Sequence, residues 1–324
     1  MAAPTLWSQC FPPASEWSVE NMPSQQGRIA VVTGGSSGIG LEIVRALWKK
    51  GATVYMASHN EAKMRNVIRK LREDHDTPSG TLDYLQLDLG HLQSVRQCAQ
   101  VLREKHNRVD LLFNCAAVLT PGEKVTKDGF EIHLGVNALG PYYLTQLCLP
   151  MLTTSFKMNP HRPPRVCFVS CAYHIHATSK GFDMRDPSGE HMVRLVPKFF
   201  QAYANSKMDA VLMANKFHRE YGNDGIIFSS CNPGTIHTDI NRGMTSYVAV
   251  MLGHLASETV MYDAAMGAIT PLYVATALET AEEGGGYYVP WARRGMPADA
   301  ARNEKAQDDM ARFFDELIAL RMKA

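Results

Sequence analysis

Tyr203 and Lys207, in the run Ala202-Tyr203-Ala204-Asn205-Ser206-Lys207, stand four residues apart, so on a helix they share one face. A phenol moves a proton near neutral pH only when its pKa, about 10 when free, is lowered by positive charge. Lys207 would supply such a charge, and an oxidised nicotinamide another. The pair therefore reads as the acid/base of a hydride transfer at an oxygen-bearing carbon. The spacing by itself is common: with 12 tyrosines in the chain, a lysine frequency of roughly 5% gives about 0.6 chance matches. Its weight comes from company elsewhere in the sequence.

That company starts with Thr33-Gly34-Gly35-Ser36-Ser37-Gly38-Ile39-Gly40, which follows the apolar run Ile29-Ala30-Val31-Val32 and opens into Leu41 to Leu47. A strand feeding a helix through a glycine loop is a phosphate cradle. Gly34 suits the tight turn, Gly38 the close approach of a diphosphate and Gly40 the packing of the helix, whose free N–H groups face negative charge. A dinucleotide is the expected ligand, and redox chemistry the expected use.

The elements that would position these residues alternate along the chain. Strands are expected at Thr53–Ala57, Leu82–Leu87, Val109–Phe113, Val166–Ser170, Ile226–Cys231 and Gly286–Val289, besides the first at Ile29. Helices are expected at Glu61–Glu73, Leu92–Lys105, Phe130–Leu152, Phe199–Glu220, Ala264–Leu278 and Arg302–Leu320. Apolar runs without period-two alternation, separated by helices, mean a parallel sheet covered on both faces. The fold class is α/β, a doubly wound (Rossmann) sheet of about seven strands. Thr153 to Arg165, with Pro160, Pro163 and Pro164, reads as an exposed connection. Ala172 to Pro197 and the apolar segment 236–263 leave carboxyl ends of strands, where such sheets bind ligands, and the second reads as a substrate lid. Residues 1–26, with Pro4, Pro12, Pro13 and Pro23, read as an extended arm on one domain spanning 27–324. The terminal helix 302–320 carries Met310, Phe313, Phe314, Leu317, Ile318 and Leu320 for core packing.

Composition narrows the partners. With 33 basic against 32 acidic side chains among 324 residues, no field attracts nucleic acid. Seven cysteines, several within apolar runs and none in a CxxC pair, suit a reduced, cytoplasmic chain without zinc. The longest apolar stretch, Tyr247 to Ala256, falls short of the roughly 20 residues that span a bilayer, which leaves peripheral membrane contact as its membrane role. His174, His176 and His191 read as solvated loop histidines, with no metal site.

The ordered motifs resemble those of the short-chain dehydrogenase/reductase family from about Gln26 to Val289. They are the Thr33–Gly40 loop, Leu87-Asp88-Leu89, Asn114-Cys115-Ala116-Ala117, Val136-Asn137-Ala138-Leu139-Gly140, Val169-Ser170-Cys171, Tyr203 to Lys207, and Asn232-Pro233-Gly234 with Thr238. The Trp7-Ser8-Gln9 opening and the Tyr288-Val289-Pro290-Trp291-Ala292 ending resemble fungal retinol-dehydrogenase-like members. The resemblance implies Tyr203 as acid/base, Lys207 as its tuner and a ribose ligand, and Asn137 as holder of a relay water. It implies a cofactor cradle of Gly34, Ser36, Ser37, Gly38, Ile39 and Gly40. Asp88 and Leu89 would reach the adenine, Asn114 and Ala116 its ribose, and Pro233, Gly234, Ile236 and Thr238 the nicotinamide. It also implies a homodimer or homotetramer through the helices Phe130–Leu152 and Phe199–Glu220.

Three departures matter. The family has a substrate-stabilising serine where this chain has Cys171, with Ser170 just before it, and a thiol is a weak donor. Ser170 could serve through a one-residue register shift, although neighbouring strand residues point to opposite faces. Ala117 stands where the family has glycine. Finally, Met56-Ala57-Ser58-His59-Asn60 holds no carboxylate to repel a 2'-phosphate, and Ser58, His59 and Lys63 could receive one, so NADP is favoured over NAD. The Met-rich lid and Phe199-Phe200 argue for a small lipophilic alcohol, ketone or aldehyde, and the fungal resemblance for tailoring of a secondary metabolite such as a terpenoid or polyketide. The competing reading, motivated by Cys171, is a redox-impaired or non-redox protein that binds a dinucleotide or lipophile.

Overall fold

The computed structural model describes residues 6–74, 80–120, 124–177, 199–237, 261–283 and 285–323. Eight strands form one sheet: β1 (Ile29–Thr33), β2 (Thr53–Ser58), β3 (Thr81–Gln86), β4 (Leu111–Asn114), β5 (Arg165–Val169), β6 (Ile227–Cys231), β7 (Tyr287–Val289) and β8 (Arg293–Gly295). Their order is β3-β2-β1-β4-β5-β6-β7-β8. All neighbours pair in parallel except β8, which runs antiparallel to β7 with Tyr288 opposite Arg294. The expected count of about seven misses β8, a three-residue edge strand reading Arg-Arg-Gly, too short and polar to leave a hydrophobic pattern.

Successive residues of β1 divide between two cores. Ile29 and Val31 pack with Leu92, Leu144, Val211 and Phe314 on one face, and Ala30 and Val32 with Ile43, Leu47, Ile68 and Leu272 on the other. The first face is covered by α4 (Leu92–Lys105), α5 (Gly140–Met158) and α6 (Phe199–Tyr221), the second by α2 (Gly38–Lys49), α3 (Glu61–Glu73) and α7 (Ala264–Thr276). The short α8 (Glu279–Glu282) leads into β7, and α9 (Glu304–Met322) follows β8.

Four expectations need correction. The helix expected over Phe130–Leu152 begins as a π-helical turn, Leu134–Leu139, and continues as α5 to Met158, so much of the supposed connection Thr153–Arg165 is helical. Arg165 itself is buried, its Nη1 donating to Val274 O and Ala277 O at the end of α7 and to Thr280 Oγ1 of α8. The N-terminal arm is not simply extended: it contains α1 (Leu6–Cys10), and Trp17 and Met22 are buried in the second core. Leu320 of α9 is exposed, whereas Met310, Phe313, Phe314 and Leu317 are buried.

Helix α9 lies across α5 and α6, the two helices expected to carry subunit contacts. Phe314 meets Tyr142 edge-on at 5.3 Å, and Tyr142 packs on Phe217 of α6. Lys216 Nζ donates to Asp308 Oδ1 at 2.7 Å and Gln146 Nε2 to Asp315 Oδ1 at 2.9 Å. That face is therefore covered in part by the chain's own C-terminus. The lid 236–263 is described only at its ends, where Ile236 bridges Tyr262 in parallel; Thr238, His191 and Tyr247–Ala256 lie outside the described residues.

Candidate active site

The strand order turns back between β1 and β4, and the crevice beyond their carboxyl ends is where open α/β sheets take ligands. Thr33 knits the two loops there: its Oγ1 accepts the N–H groups of Cys115 and Ala116 at 3.0 Å and donates to Phe113 O. The glycine loop is folded tightly. Gly38 has φ of 53°, in the left-handed region, and a Cβ on Gly40 would lie 2.5 Å from Gly34 O. Helix α2 starts inside the loop with Ser37 as its N-cap residue, so its first N–H groups point out of the turn made by Ser36 and Ser37. Ile39 and Ile236 converge on Gly267, whose Cβ would meet their side chains at 2.9 and 2.8 Å. The glycine loop and the loop after β6 therefore meet over α7.

At the carboxyl end of β2, Ser58 closes the strand, and the exposed His59 and the first turn of α3, with Lys63, follow. The Asn60 side chain caps that helix through Lys63 N. Asp88 is held by Gly90 N on one oxygen and by Lys127 on the other at 2.9 Å. Leu89 is buried, its carbonyl against Gly140. Asn114 donates to Thr145 Oγ1, while its buried Oδ1 has no protein partner among the described residues. After β6, Asn232 Oδ1 accepts Gly234 N, fixing the turn at Pro233, and Gly234 has φ of 94°.

Tyr203 and Lys207 share the buried face of α6, as their spacing requires. Lys207 Nζ lies 5.6 Å from the Tyr203 ring centroid and donates to Val169 O at 2.9 Å. Burial pushes the Tyr203 pKa well up, and its hydrogen bond to Cys171 pushes the same way, so the expected lowering is not met by the protein's own groups. Burial lowers Lys207, opposed by Cys171, Cys115 and Cys231.

The question of Ser170 or Cys171 has a geometric answer. Ser170 is buried, its Oγ donating to Lys207 O at 2.6 Å and its N–H to Cys231 O, so the hydroxyl serves the backbone of α6. Cys171, just past β5, is the residue beside the Tyr203 hydroxyl. Asn137 sits within the π-helical turn with its side chain fully engaged: Oδ1 accepts Val118 N, and Nδ2 donates to Val118 O and Ser206 Oγ. It ties the loop after β4 to α6, and any contact with a relay water falls to its backbone.

Two histidines gained importance. His174, expected to be solvated, is buried: Nδ1 donates to Cys171 O at 2.8 Å and Nε2 accepts Ala298 N at 3.0 Å, a neutral imidazole whose pKa burial lowers. His176 is exposed as expected. His133, fully buried, was missed: Nδ1 bonds Glu131 Oε1 at 2.6 Å, Nε2 accepts Thr120 N, and its ring stands edge-on to Tyr203 at 6.1 Å. Its even spacing from Glu131 ahead of an apolar helix carried no signal in the sequence.

Comparison with known proteins accords with this geometry. The family description "short chain dehydrogenase" matches residues 28–159. A short-chain dehydrogenase/reductase of the fungus Armillaria gallica is 33% identical over 320 residues, covering 98% of each chain. The chain belongs to the short-chain dehydrogenase/reductase family.

Another member of this oxidoreductase family, from Phomopsis amygdali, is 31% identical over 293 residues, 89% of this chain and 85% of that one. Among solved structures, a protein from Mycobacterium paratuberculosis superposes with a TM-score of 0.70 at 25% identity, over 94% of this chain and 98% of the other. A short chain dehydrogenase from Burkholderia cenocepacia, solved in complex with NADP, has the same fold at TM-score 0.62 and 20% identity, over 83% of this chain and 98% of the other. The short-chain dehydrogenase/reductase fold thus extends well beyond the residues that the family description matches. No described helix is long and apolar enough to cross a membrane.

Proposed function

We propose that this chain is an NADP-dependent reductase or dehydrogenase acting on a lipophilic carbonyl or alcohol, with Tyr203 as the proton-transferring group. The observation that carries the reading is the meeting of the glycine loop, the loop after β6 and the buried Tyr203–Cys171–Lys207 group at one edge of the sheet. The residues present fit a dinucleotide. The Gly34–Gly40 turn has no room for a Cβ at Gly40. Lys207 spends one of its three N–H donors on Val169 O among the described residues, which leaves two for ribose hydroxyls. The orphaned Asn114 Oδ1 suits a further hydroxyl donor. Ser58, His59 and Lys63, with no carboxylate among them, would face a 2'-phosphate. The nicotinamide, when bound, supplies or takes up the hydride.

Tyr203 hands its proton to the carbonyl oxygen in the reductive direction and takes it back in the oxidative one. The protonated phenol is the form that gives its proton in the reductive direction. Lys207 holds the ribose side, Asn137 fixes the loop Val118 to Thr120 against α6, and Cys171 offers a weak donor to the developing alkoxide. Pro233, Gly234 and Ile236 would line the nicotinamide side, with Leu89, Asp88 and Ala116 toward the adenosine.

NADPH oxidation across a panel of aldehydes and ketones tests this. Tyr203→Phe should lower kcat/KM at least about 100-fold, while Cys171→Ser, restoring a stronger donor, should raise kcat by up to about 100-fold. Absence of turnover with NADPH and NADH, in wild type and Cys171→Ser alike, would favour the redox-silent reading that Cys171 motivates.

A further inference from the structure

We propose that α1, in the N-terminal arm, is the outer wall of the substrate site, and that the Trp7–Phe11 pair binds the apolar body of the substrate. The proposal rests on the oxidoreductase reading for the word substrate, but its observations are separate. A five-residue helix has too few hydrogen bonds to persist alone, so what holds it decides where it sits. Two polar anchors hold it. The side chain of Gln9 is buried and accepts Asn232 Nδ2 at 3.0 Å. Arg293 Nη2 donates to Ser8 O at 2.7 Å.

Both anchors lead to the edge of the sheet where chemistry takes place. Asn232 is the first residue past β6. Its N–H donates to Tyr288 O, and its Oδ1 fixes the Gly234 turn, so one side chain joins the arm to the loop after β6. On the other flank, Cys10 lies near enough to Tyr173 to act on its phenol, and Tyr173 in turn acts on Tyr203. Tyr173 also meets Phe200 edge-on at 4.8 Å. Helix α1 is therefore bracketed by the loops after β5 and β6, with Tyr173 between Cys10 and Tyr203.

Against this anchoring, the outer residues are unusual. Trp7 is 72% exposed and Phe11 42%, with ring centroids 4.3 Å apart. Two large aromatics packed together at a tilt on a pinned helix, left exposed at the mouth of a site, gain free energy when an apolar ligand covers them. Cys10 of the same helix carries this surface toward Tyr173 and Phe200, which makes that ligand the substrate, with an alkyl or ring body reaching several carbons beyond the carbonyl.

Calorimetric titration of the full chain, saturated with NADP, with 1-decanol and 1-butanol is the test. Wild type should bind decanol, and Trp7→Ala/Phe11→Ala should weaken decanol at least ten-fold while butanol and NADPH affinities stay put. Gln9→Ala, which frees the arm without touching its aromatics, should weaken decanol in the same sense. Unchanged decanol affinity in both variants, or no decanol binding by wild type, would overturn the proposal. Arm-dependent decanol binding without NADPH-linked turnover of decanal would count against the oxidoreductase reading and leave the arm's role standing.

Discussion

At the scale of single residues, the site is governed by burial more than by charge. Lys207 sits beside the Tyr203 ring and donates to Val169 O, while burial and the neighbouring Cys171 push the phenol up. His174 obeys the same rule with a consequence for stability. Its neutral ring bridges Cys171 O and Ala298 N, and burial depresses its pKa below the model-peptide value of about 6.5. The unfolded chain therefore binds the proton more readily than the fold does. Stability from this group is complete above the unfolded pKa and falls as pH drops through the lower folded one. His106 and His218 are depressed as well, so a comparison isolates the effect. Between pH 7.5 and pH 5, wild type should lose more stability in urea titrations than His174→Asn does; equal losses would mean that the bridge does not titrate. Tyr203, Lys207 and Asn137 were legible as candidates because their types and order match the family's motifs. His174 and His133 were not, because a histidine's role depends on partners that the fold brings from Ala298 and Thr120.

At the scale of elements, regular periodicity was read well and irregular backbone was not. Helices Glu61–Glu73 and Leu92–Lys105 fall where their apolar spacing puts them. The π-helical turn at Leu134–Leu139 leaves no distinct side-chain pattern, because one inserted residue shifts the face without changing which residues are apolar. The glycine loop is the element whose sequence and geometry agree most closely. Since a Cβ on Gly40 would approach backbone oxygen to 2.5 Å, Gly40→Ala must open the loop or shift α2. A cost of about 2 kcal/mol in unfolding free energy is expected. NADPH affinity, followed by its fluorescence, should fall further than a purely global destabilisation explains, since the N-terminus of α2 moves with the loop. Unchanged affinity in a folded variant would remove the loop from the cofactor site.

At the scale of the whole molecule, α9 decides what the α5 and α6 face can do. Aromatics hold α9 on the part of this face it covers: Phe314 on Tyr142, Tyr142 on Phe217, and Phe313 beside Phe314. The ion pairs at its rim, such as Lys216–Asp308, are partly exposed and contribute at most about 1 kcal/mol each. Burying a phenylalanine contributes on the order of 2 to 3 kcal/mol, so the apolar contacts dominate and salt should not release the helix. A second copy would have to displace Phe313, Phe314, Met310 and Leu317 before it could pair α5 and α6, which the full chain has no reason to do. Sedimentation should therefore give a species that does not dimerise through this face, near the chain mass of 35.9 kDa unless another surface associates. The contrast is sharpened by Phe314→Ala, expected to cost about 3 to 5 kcal/mol, and by deletion of residues 303–324. Either change bares an apolar surface, and self-association should rise with it. Cross-links joining α5 of one copy to α5 of another in the intact chain would show that α9 yields this face to a partner.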